Sequence, residues 1–285
     1  MAATQTDYLL LDSPVARVYD IVCREPRSPY GPMMLNAVTQ IGLPRRGVFM
    51  MERRGEPIVV DTTTALVLGP DDEYRVGHPS GGGDDGTVLV LPPHLVEDAI
   101  GGIEGRVGSL SPRDHLAVCL VTRALSDGDP DQLEAEEATL LLLASVSRAF
   151  VDQTSDDHLG PAQRLRVGQA RTLLASSPAT RWSLNSLAQA LRCSPFHLAR
   201  QFRAVTGETV SRYVLRLRLA VAVERLADGE RNLATLAVET GFAHHSHFSA
   251  RFRGVFGMTP ARAREILTKG KLAELRVIVN RTTRV

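Results

Sequence analysis

Cysteine is scarce in this chain of 285 residues: Cys23, Cys119 and Cys193 are the only three, far apart and without a C-x-x-C pair. That spacing excludes a disulfide framework and a zinc knuckle, and ordinary buried thiols are expected instead. Long apolar runs are missing as well. The longest, TLLLLASV at 139–146, is too short to cross a bilayer. Asp7, Asp12 and Arg17 interrupt the first twenty residues, so no signal segment is read there. A cytoplasmic protein without membrane contact is expected. Lysine is almost absent, with Lys269 and Lys271 alone. Cationic contacts therefore fall to arginine, whose planar fork suits phosphate and guanine.

What is present is unevenly spread. The formal net charge is only +1, yet residues 161–285 hold 21 Lys and Arg against 7 Asp and Glu, a net +14. Residues 1–160 hold 12 against 25, a net −13. A basic half behind an acidic half is the electrostatic footprint of a nucleic-acid-binding domain joined to something else. The length allows two domains of ordinary size, each with its own core.

The halves also differ in texture. Residues 13–95 read as short strands (VARVYDIVC, LNAVTQIGL, GVFMMER, PIVVDTTTALVLG, TVLVLP) separated by turn formers such as LPRRG, GPDDE and HPSGGGDDG. Close-spaced strands without intervening helices predict a small barrel or jelly roll. From about 111 the period becomes helical. PRDHLAVCLVTRALSDG predicts one helix, and DPDQLEAEEATLLLLASVSRAFVDQ a second with Asp131 near its start. Leu133, Leu140, Leu141, Leu143 and Val146 are more than one packing stripe needs, so either a subunit contact or packing on the barrel is expected. The polar TSDDHLGP (154–161) marks a domain boundary, and no strand is read beyond it.

Within the basic half one pattern occurs twice. SLNSLAQALRCSPFHLARQFRAVTG (183–207) aligns with NLATLAVETGFAHHSHFSARFRGVFG (232–257). Leu198, Phe202, Arg203, Val205 and Gly207 recur as Phe248, Phe252, Arg253, Val255 and Gly257, and a one-residue slip falls where each copy turns. Each copy reads as helix, tight turn, helix. In the second helices Leu198, Phe202 and Val205, and then Phe248, Phe252 and Val255, are spaced to face inward. The outward faces carry Ser194, Phe196, Ala199, Arg200 and Arg203, then His244, His245, Ser246, His247, Ser249, Ala250, Arg251 and Arg253. These are the candidate DNA-contacting residues. Between the copies, TVSRYVLRLRLAVAVERLA predicts a helix about 28 Å long. That length suits two recognition helices in successive major grooves, about 34 Å apart.

The histidine cluster invites a metal reading, but no Cys, Asp or Glu lies between 240 and 264. Zinc would lack its tetrahedral set there, and a general base would lack its carboxylate partner. No metal site and no catalytic residues are expected. His197 is expected to pack partly beside Leu198.

The runs SLxxLAxxL…S…HLxRxFRxxTG and LAxxxGFxxxSxFxxRFRxxFGxTP resemble the AraC/XylS class of bacterial transcription regulators over about 165–265. The resemblance implies an α+β chain of two domains: an N-terminal cupin-like β-barrel or jelly roll with flanking helices, then an all-α domain of two helix-turn-helix subdomains joined by a long helix. It implies a sensing domain at 1–128, a helical dimerisation or linker segment at 129–160, a DNA-binding domain at 161–268 and a basic tail at 269–285. The first helix-turn-helix falls at about 184–205, the linker helix at 209–227 and the second helix-turn-helix at 232–255. By position, Phe196, Ala199 and Arg200, and His245, Ser246, His247 and Ala250, stand where bases are read. Three residues depart from the pattern: Arg192 replaces the turn glycine, Ala250 a basic reader and Ala263 an aromatic.

PRRGVF (44–49), the run at 61–79 and GGGDDGTVL (81–89) resemble, less specifically, the cupin-like sensing domains that precede this module. Arg45, Tyr74, Arg75 and His78 are the candidate effector-binding residues. With His78 and His94 the only histidines at 13–95 and no paired-histidine set among the strands, a metal-dependent cupin enzyme is not expected. The implied partners are duplex promoter DNA, a small-molecule effector, RNA polymerase and a second copy of the chain, with no cofactor. Two alternatives stand beside effector-responsive regulation: a constitutive DNA-binding protein whose N-terminal domain only dimerises, and an enzyme with a DNA-binding appendage. Isolated cysteines disfavour a methyl-accepting repair enzyme.

Overall fold

The structure, a computed structural model, describes residues 5–101, 106–150 and 160–280. Nine strands come first: β1 (Gln5–Asp12), β2 (Arg17–Cys23), β3 (Met34–Leu35), β4 (Gln40–Arg53), β5 (Glu56–Asp61), β6 (Thr64–Leu68), β7 (Glu73–Gly77), β8 (Asp84–Val90) and β9 (Val107–Ser109). All pairings are antiparallel. One sheet runs β1-β2-β8-β4-β6-β9, and the second half of β4 leaves it to pair with β5 and β7, with β3 beyond β7. Two sheets that share one bent strand face each other across a cavity, a jelly-roll-like arrangement that does not close into a barrel.

The bend corrects the sequence reading. LPRRG is not a turn between two strands; β4 passes through it, with its register on β8 shifting between Pro44 and Arg46. Such a bulge bends a strand without ending it, and Gly47 at φ +76° supplies the required conformation. A Cβ on Gly47 would lie 2.4 Å from the Gly83 carbonyl oxygen, so β8 can approach only a glycine. Alternation along β4 then separates two faces. Ile41 and Leu43 join the core with the helices, while Gln40 and Gly42 face the cavity.

The helices are α1 (Pro93–Ile100), α2 (Pro112–Asp127), α3 (Gln132–Ser147), α4 (Pro161–Ser176), α5 (Leu184–Ala190), α6 (Pro195–Thr206), α7 (Val210–Ala227), α8 (Leu233–Glu239), α9 (His245–Phe256), α10 (Pro260–Thr268) and α11 (Leu275–Asn280). Their starts follow from short polar caps. Ser111 and Asp114 form a capping box on α2, Asp131 accepts from Glu134 N at α3, and Ser183, Ser194, Thr209, Asn232 and Thr259 do the same for their helices. Among the described residues no helix is long and apolar enough to cross a membrane.

The two halves do not keep separate cores. Leu116–Val121 of α2 are buried on every side, between the sheet and the helices. One apolar cluster unites Ile41, Leu43 and Leu89 with α2, α3, the second half of α7 and Phe248, Phe252 and Phe256 of α9. A second joins Val48 and Val59 of the sheet to α4, α5, α6 and α7. The helix α7 therefore buries more than the single stripe Val210, Tyr213, Val214, Leu217 and Val221. Leu219, Ala220, Ala222, Val223, Leu226 and Ala227 are buried as well.

The stretch 269–285 also departs from its expected form. Leu272, Leu275 and Ile278 are buried, and α11 packs on α2 and α3; the last five residues lie outside the described chain. The expected boundary at 154–161 falls mostly at 151–159, which also lie outside it. Of the leucines in α3, Leu143 is buried, Leu141 is half-buried, and Leu133 and Leu140 are exposed.

Candidate nucleic-acid interface

The two repeats build the same unit. In the first, α5 turns into α6 through Arg192; in the second, α8 turns into α9 through Gly241. Both turn residues are left-handed, Gly241 at φ +86° and Arg192 at φ +52°. The first turn thus keeps the glycine conformation with a side chain that resists it. At Gly241 the space itself demands glycine, since a Cβ would lie 2.8 Å from the Ala179 carbonyl oxygen. Both second helices end on left-handed glycines, Gly207 and Gly257, whose N–H groups donate to the carbonyls of Arg203 and Arg253.

One face of each second helix is fixed by burial. Leu198 and Phe202 are fully buried in α6, with Phe202 edge-on to Tyr213 of α7 at 5.3 Å. In α9, Phe248, Phe252 and Phe256 form a ladder of rings with centroids 5.6 and 4.3 Å apart. Each buried phenylalanine contributes about 1.5–3 kcal/mol, enough to hold its helix in one rotation about its axis. Two expected core positions differ. Val205 is exposed and Val255 half-buried, while Gln201, held by Arg166 at 3.1 Å, and Phe256 take the inward positions. His197 is exposed too, its ring against that of Phe196 at 5.9 Å rather than beside Leu198.

The opposite faces carry the thirteen candidates. Ser194, Phe196, Arg200 and Arg203 are exposed and Ala199 is half-buried on α6. His244, His245, Ser246, Ala250, Arg251 and Arg253 are exposed, and His247 and Ser249 half-buried, on α9. Two serve the helix first: Ser194 caps α6, and His244 caps α9 by accepting the His247 N–H on Nδ1 at 3.2 Å. The histidines do not converge on a shared point. His245 Nε2 meets Ser249 Oγ at 3.2 Å, and His247 Nε2 accepts from Arg251 Nε at 3.4 Å. Among the described residues, the guanidiniums of Arg200, Arg203 and Arg253 have no ion-pair or hydrogen-bond partner.

The arginines at the contacts between the two halves behave differently. Arg171 of α4 donates to Asp61 at 2.8 Å, and Tyr213 Oη of α7 donates to the same carboxylate at 2.5 Å. Arg46 of β4 donates to Glu224 at 2.7 Å and Asp228 at 2.5 Å, and Arg123 of α2 donates to the Ala227 carbonyl at 2.8 Å. The β half thus grips α7 near both its ends. Burial pushes Asp61 up, but the Arg171 guanidinium and hydrogen bonds from Thr63 and Tyr213 outweigh it and hold the carboxyl below its usual range. Burial also pushes His115 of α2 down to about 4.

The space between the sheets is a cavity of about 910 Å³, lined by Tyr30, Phe49, Met51, Tyr74, Val76 and Val88 among others. Of the four candidate effector residues, Tyr74 and His78 line it. Arg75 does not: alternation along β7 turns it outward, onto Glu52 at 2.6 Å and over the Tyr30 ring at 5.0 Å. Arg45 does not either. The bulge in β4 turns it toward α7, where it pairs with Asp20 and lies 3.7 Å from Glu224. The sequence pattern hid this, because Asp20 and Glu224 both lie far from Arg45 in the chain.

The paired units and the helix between them define the class: a tandem helix-turn-helix DNA-binding domain. Residues 187–266 match the family described as "Helix-turn-helix domain". A Streptomyces lividans protein described as AraC-like is 30% identical over 136 residues, 47% of this chain and 45% of that protein. The Photobacterium leiognathi regulator LumQ is 27% identical over 207 residues, 70% of this chain and 81% of LumQ. The chain thus spans under half the length of the first of these relatives. Among solved structures, ToxT of Vibrio cholerae is similar at 12% identity and a TM-score of 0.36, covering 93% of this chain and 99% of that one. Residues 187–266 thus carry a helix-turn-helix domain, and the chain is similar to an AraC-like regulator over less than half its length.

Proposed function

We propose that this protein is a transcription regulator that binds duplex DNA through the exposed faces of α6 and α9. The observation that carries the reading is the sorting of its arginines. Those at the contacts between the two halves are paired with Asp61, Glu224 and Asp228, whereas Arg200, Arg203 and Arg253 are exposed on the two helices without partners among the described residues. Unpaired guanidiniums on a fixed helix face are ready for phosphate oxygens and guanine edges. Phe196, Ala199 and Arg200 read one groove in this proposal, and His245, Ser246, His247 and Ala250 the next, with Arg203, Arg251 and Arg253 on the backbone.

The cavity between the sheets is the effector site in this reading, with Tyr74 and His78 on its wall. The ion pairs onto α7 carry its state to the DNA-binding helices. The protein works in the cytoplasm as a homodimer, for which the exposed Leu133 and Leu140 of α3 are available, and contacts RNA polymerase at its promoters. The experiment is selection of bound sites from random duplexes by the full chain, repeated across salt concentrations and with candidate metabolites. One enriched sequence and a steep loss of affinity with salt are expected. Failure to enrich any sequence would refute the regulator reading, and an unchanged affinity with every metabolite would favour the constitutive alternative.

A further inference from the structure

Three side chains of different ligating chemistry meet at one end of the cavity. Cys23 ends β2 and Asp84 begins β8, directly opposite each other in the strand register. His78 follows β7 and is held by a bridge to Ser28. Cys23 Sγ lies 3.5 Å from His78 Nε2, which lies 2.9 Å from Asp84 Oδ1. The three donor atoms fall within 4.8 Å of one another, and all three residues line the cavity.

The spacing is that of a coordination site. Bond lengths of about 2.3 Å to sulfur and 2.0–2.1 Å to nitrogen and oxygen put S and N about 3.5 Å apart around a tetrahedral ion, and N and O about 3.3 Å apart. The sulfur–nitrogen gap already has that value. The nitrogen–oxygen gap opens by roughly 0.4 Å when the His78–Asp84 hydrogen bond gives way to two metal bonds. The backbone is built for this closeness. Gly83 sits at φ +71°, and a Cβ there would lie 2.0 Å from the Cys23 carbonyl oxygen. Only glycine lets the loop before Asp84 press onto the end of β2. Glu25 also lines the cavity nearby.

A second cluster, His115, Cys119 and Glu224, is equally compact but fully buried. There Cys119 donates to Glu224 at 2.8 Å, and Arg45 and Arg46 both pair with the same carboxylate. Guanidiniums occupy the place a cation would take, so this cluster is an ion-pair network. Among the described residues no arginine is hydrogen-bonded to the histidine or to Asp84 of the set at the cavity; Arg24 acts on Asp84 only through space and is paired with Asp85, and the set faces the cavity.

We propose that Cys23, His78 and Asp84 bind one transition-metal ion of the zinc class, leaving a coordination position toward the cavity for an oxygen or nitrogen donor of a small effector. The metal site stands on its own geometry; its role toward the effector rests on the reading of the cavity given above. One thiolate, one imidazole and one carboxylate suit zinc and cobalt(II). Binding forms the metal–sulfur bond and releases the Cys23 thiol proton to solvent.

The test is titration of the full, reduced chain with cobalt(II), followed by displacement with zinc. One equivalent binds, giving visible bands of tetrahedral intensity and a thiolate-to-cobalt charge-transfer band in the near ultraviolet. Cys23→Ser abolishes the charge-transfer band, and His78→Gln weakens binding at least tenfold. Cys119→Ser and Cys193→Ser leave the spectrum unchanged. Asp84→Asn keeps the sulfur band at lower affinity, which holds the test open should Cys23→Ser fail to fold. Absence of a cobalt spectrum, its persistence in Cys23→Ser, or its loss in Cys119→Ser overturns the proposal. DNA binding measured on the same samples separates the two readings. An intact DNA complex without a cobalt spectrum sinks the metal site alone, and a cobalt spectrum without DNA binding sinks the regulator alone.

Discussion

Replacing Asp61 with alanine tests how the two halves are joined. Its carboxylate is fully buried and accepts four hydrogen bonds, from Arg171 Nη2 at 2.8 Å, Tyr213 Oη at 2.5 Å, Thr63 N at 2.8 Å and Thr63 Oγ1 at 2.6 Å. Removing it strands the Arg171 guanidinium with only Thr64 Oγ1 at 3.0 Å and Tyr213 Oη at 3.3 Å. Breaking a buried pair from one side costs about 3–5 kcal/mol, because the remaining charge stays desolvated. Against a total stability of about 5–15 kcal/mol, that is a large fraction. The assay is urea unfolding of wild type, Asp61→Ala, Arg171→Leu and the double variant. The double variant is expected to recover part of the loss, since removing both charges removes the stranded one. The carboxyl is held below its usual range, so its contribution is complete above the unfolded value near about 3.9 and disappears as pH falls through the lower folded value. The gap between wild type and Asp61→Ala therefore stays constant from neutral pH to about 5 and closes only in strong acid. A loss under about 1 kcal/mol, or a double variant no better than Asp61→Ala, would refute this reasoning.

Further perturbations address the DNA face, the first turn and the acid limb. Arg200→Ala is expected to cost about 1–3 kcal/mol of binding and to relax base preference at one position; an equal loss on every sequence makes it a backbone contact. Arg192→Gly relieves the left-handed strain at φ +52° and is expected to raise stability by about 0.5–1 kcal/mol in the same unfolding assay. Lower stability would show that the arginine side chain contributes more than its backbone costs. Burial lowers His115 to about 4, so its folded value is depressed. The stability this gives is present above the unfolded value near about 6.5 and is lost as pH falls toward 4. His115→Leu should flatten the pH dependence of unfolding across that window, and an unchanged slope would place the titration elsewhere.

The sequence reveals what is local or repeated. The helices α6 and α9 were legible because their buried positions recur at a fixed offset, and because Ser194, Gly207, Gly241 and Gly257 punctuate them. The strand β4 was not, because proline and glycine inside LPRRG carry turn signals, and only pairing with β8 shows that the strand continues. The buried second face of α7 and the docking of α11 were hidden for another reason. Both depend on α2, which arrives from a distant part of the chain and offers apolar surface on every side. The cluster at the cavity is the extreme case: Cys23 and His78 are 55 positions apart, so no spacing rule reaches them.

The charge split had a different fate, and it changes how the basic half should be treated. A net +14 over 161–285 does not say which of its arginines face outward. Arg171, Arg216 and Arg225 instead hold Asp61, Glu208 and Glu230, and their charge is largely spent inside the protein. Asp61 of the sheet supplies the complement to Arg171, whereas Arg46 runs the other way, from the acidic half to Glu224 and Asp228. Most of these pairs join arginines of the acidic half to acids of the basic half, so the halves adhere through particular pairs and not through their opposite net charges. On the faces of α6 and α9, what remains for a polyanion is Arg200, Arg203 and Arg253, which have no ion-pair or hydrogen-bond partner among the described residues, joined by Arg251 beside His247. The salt slope of DNA binding should follow that set and not the total. Alanine at Arg203 or Arg253 should each reduce the slope by about one, whereas alanine at Arg171 should lower stability and leave the slope of the folded protein unchanged.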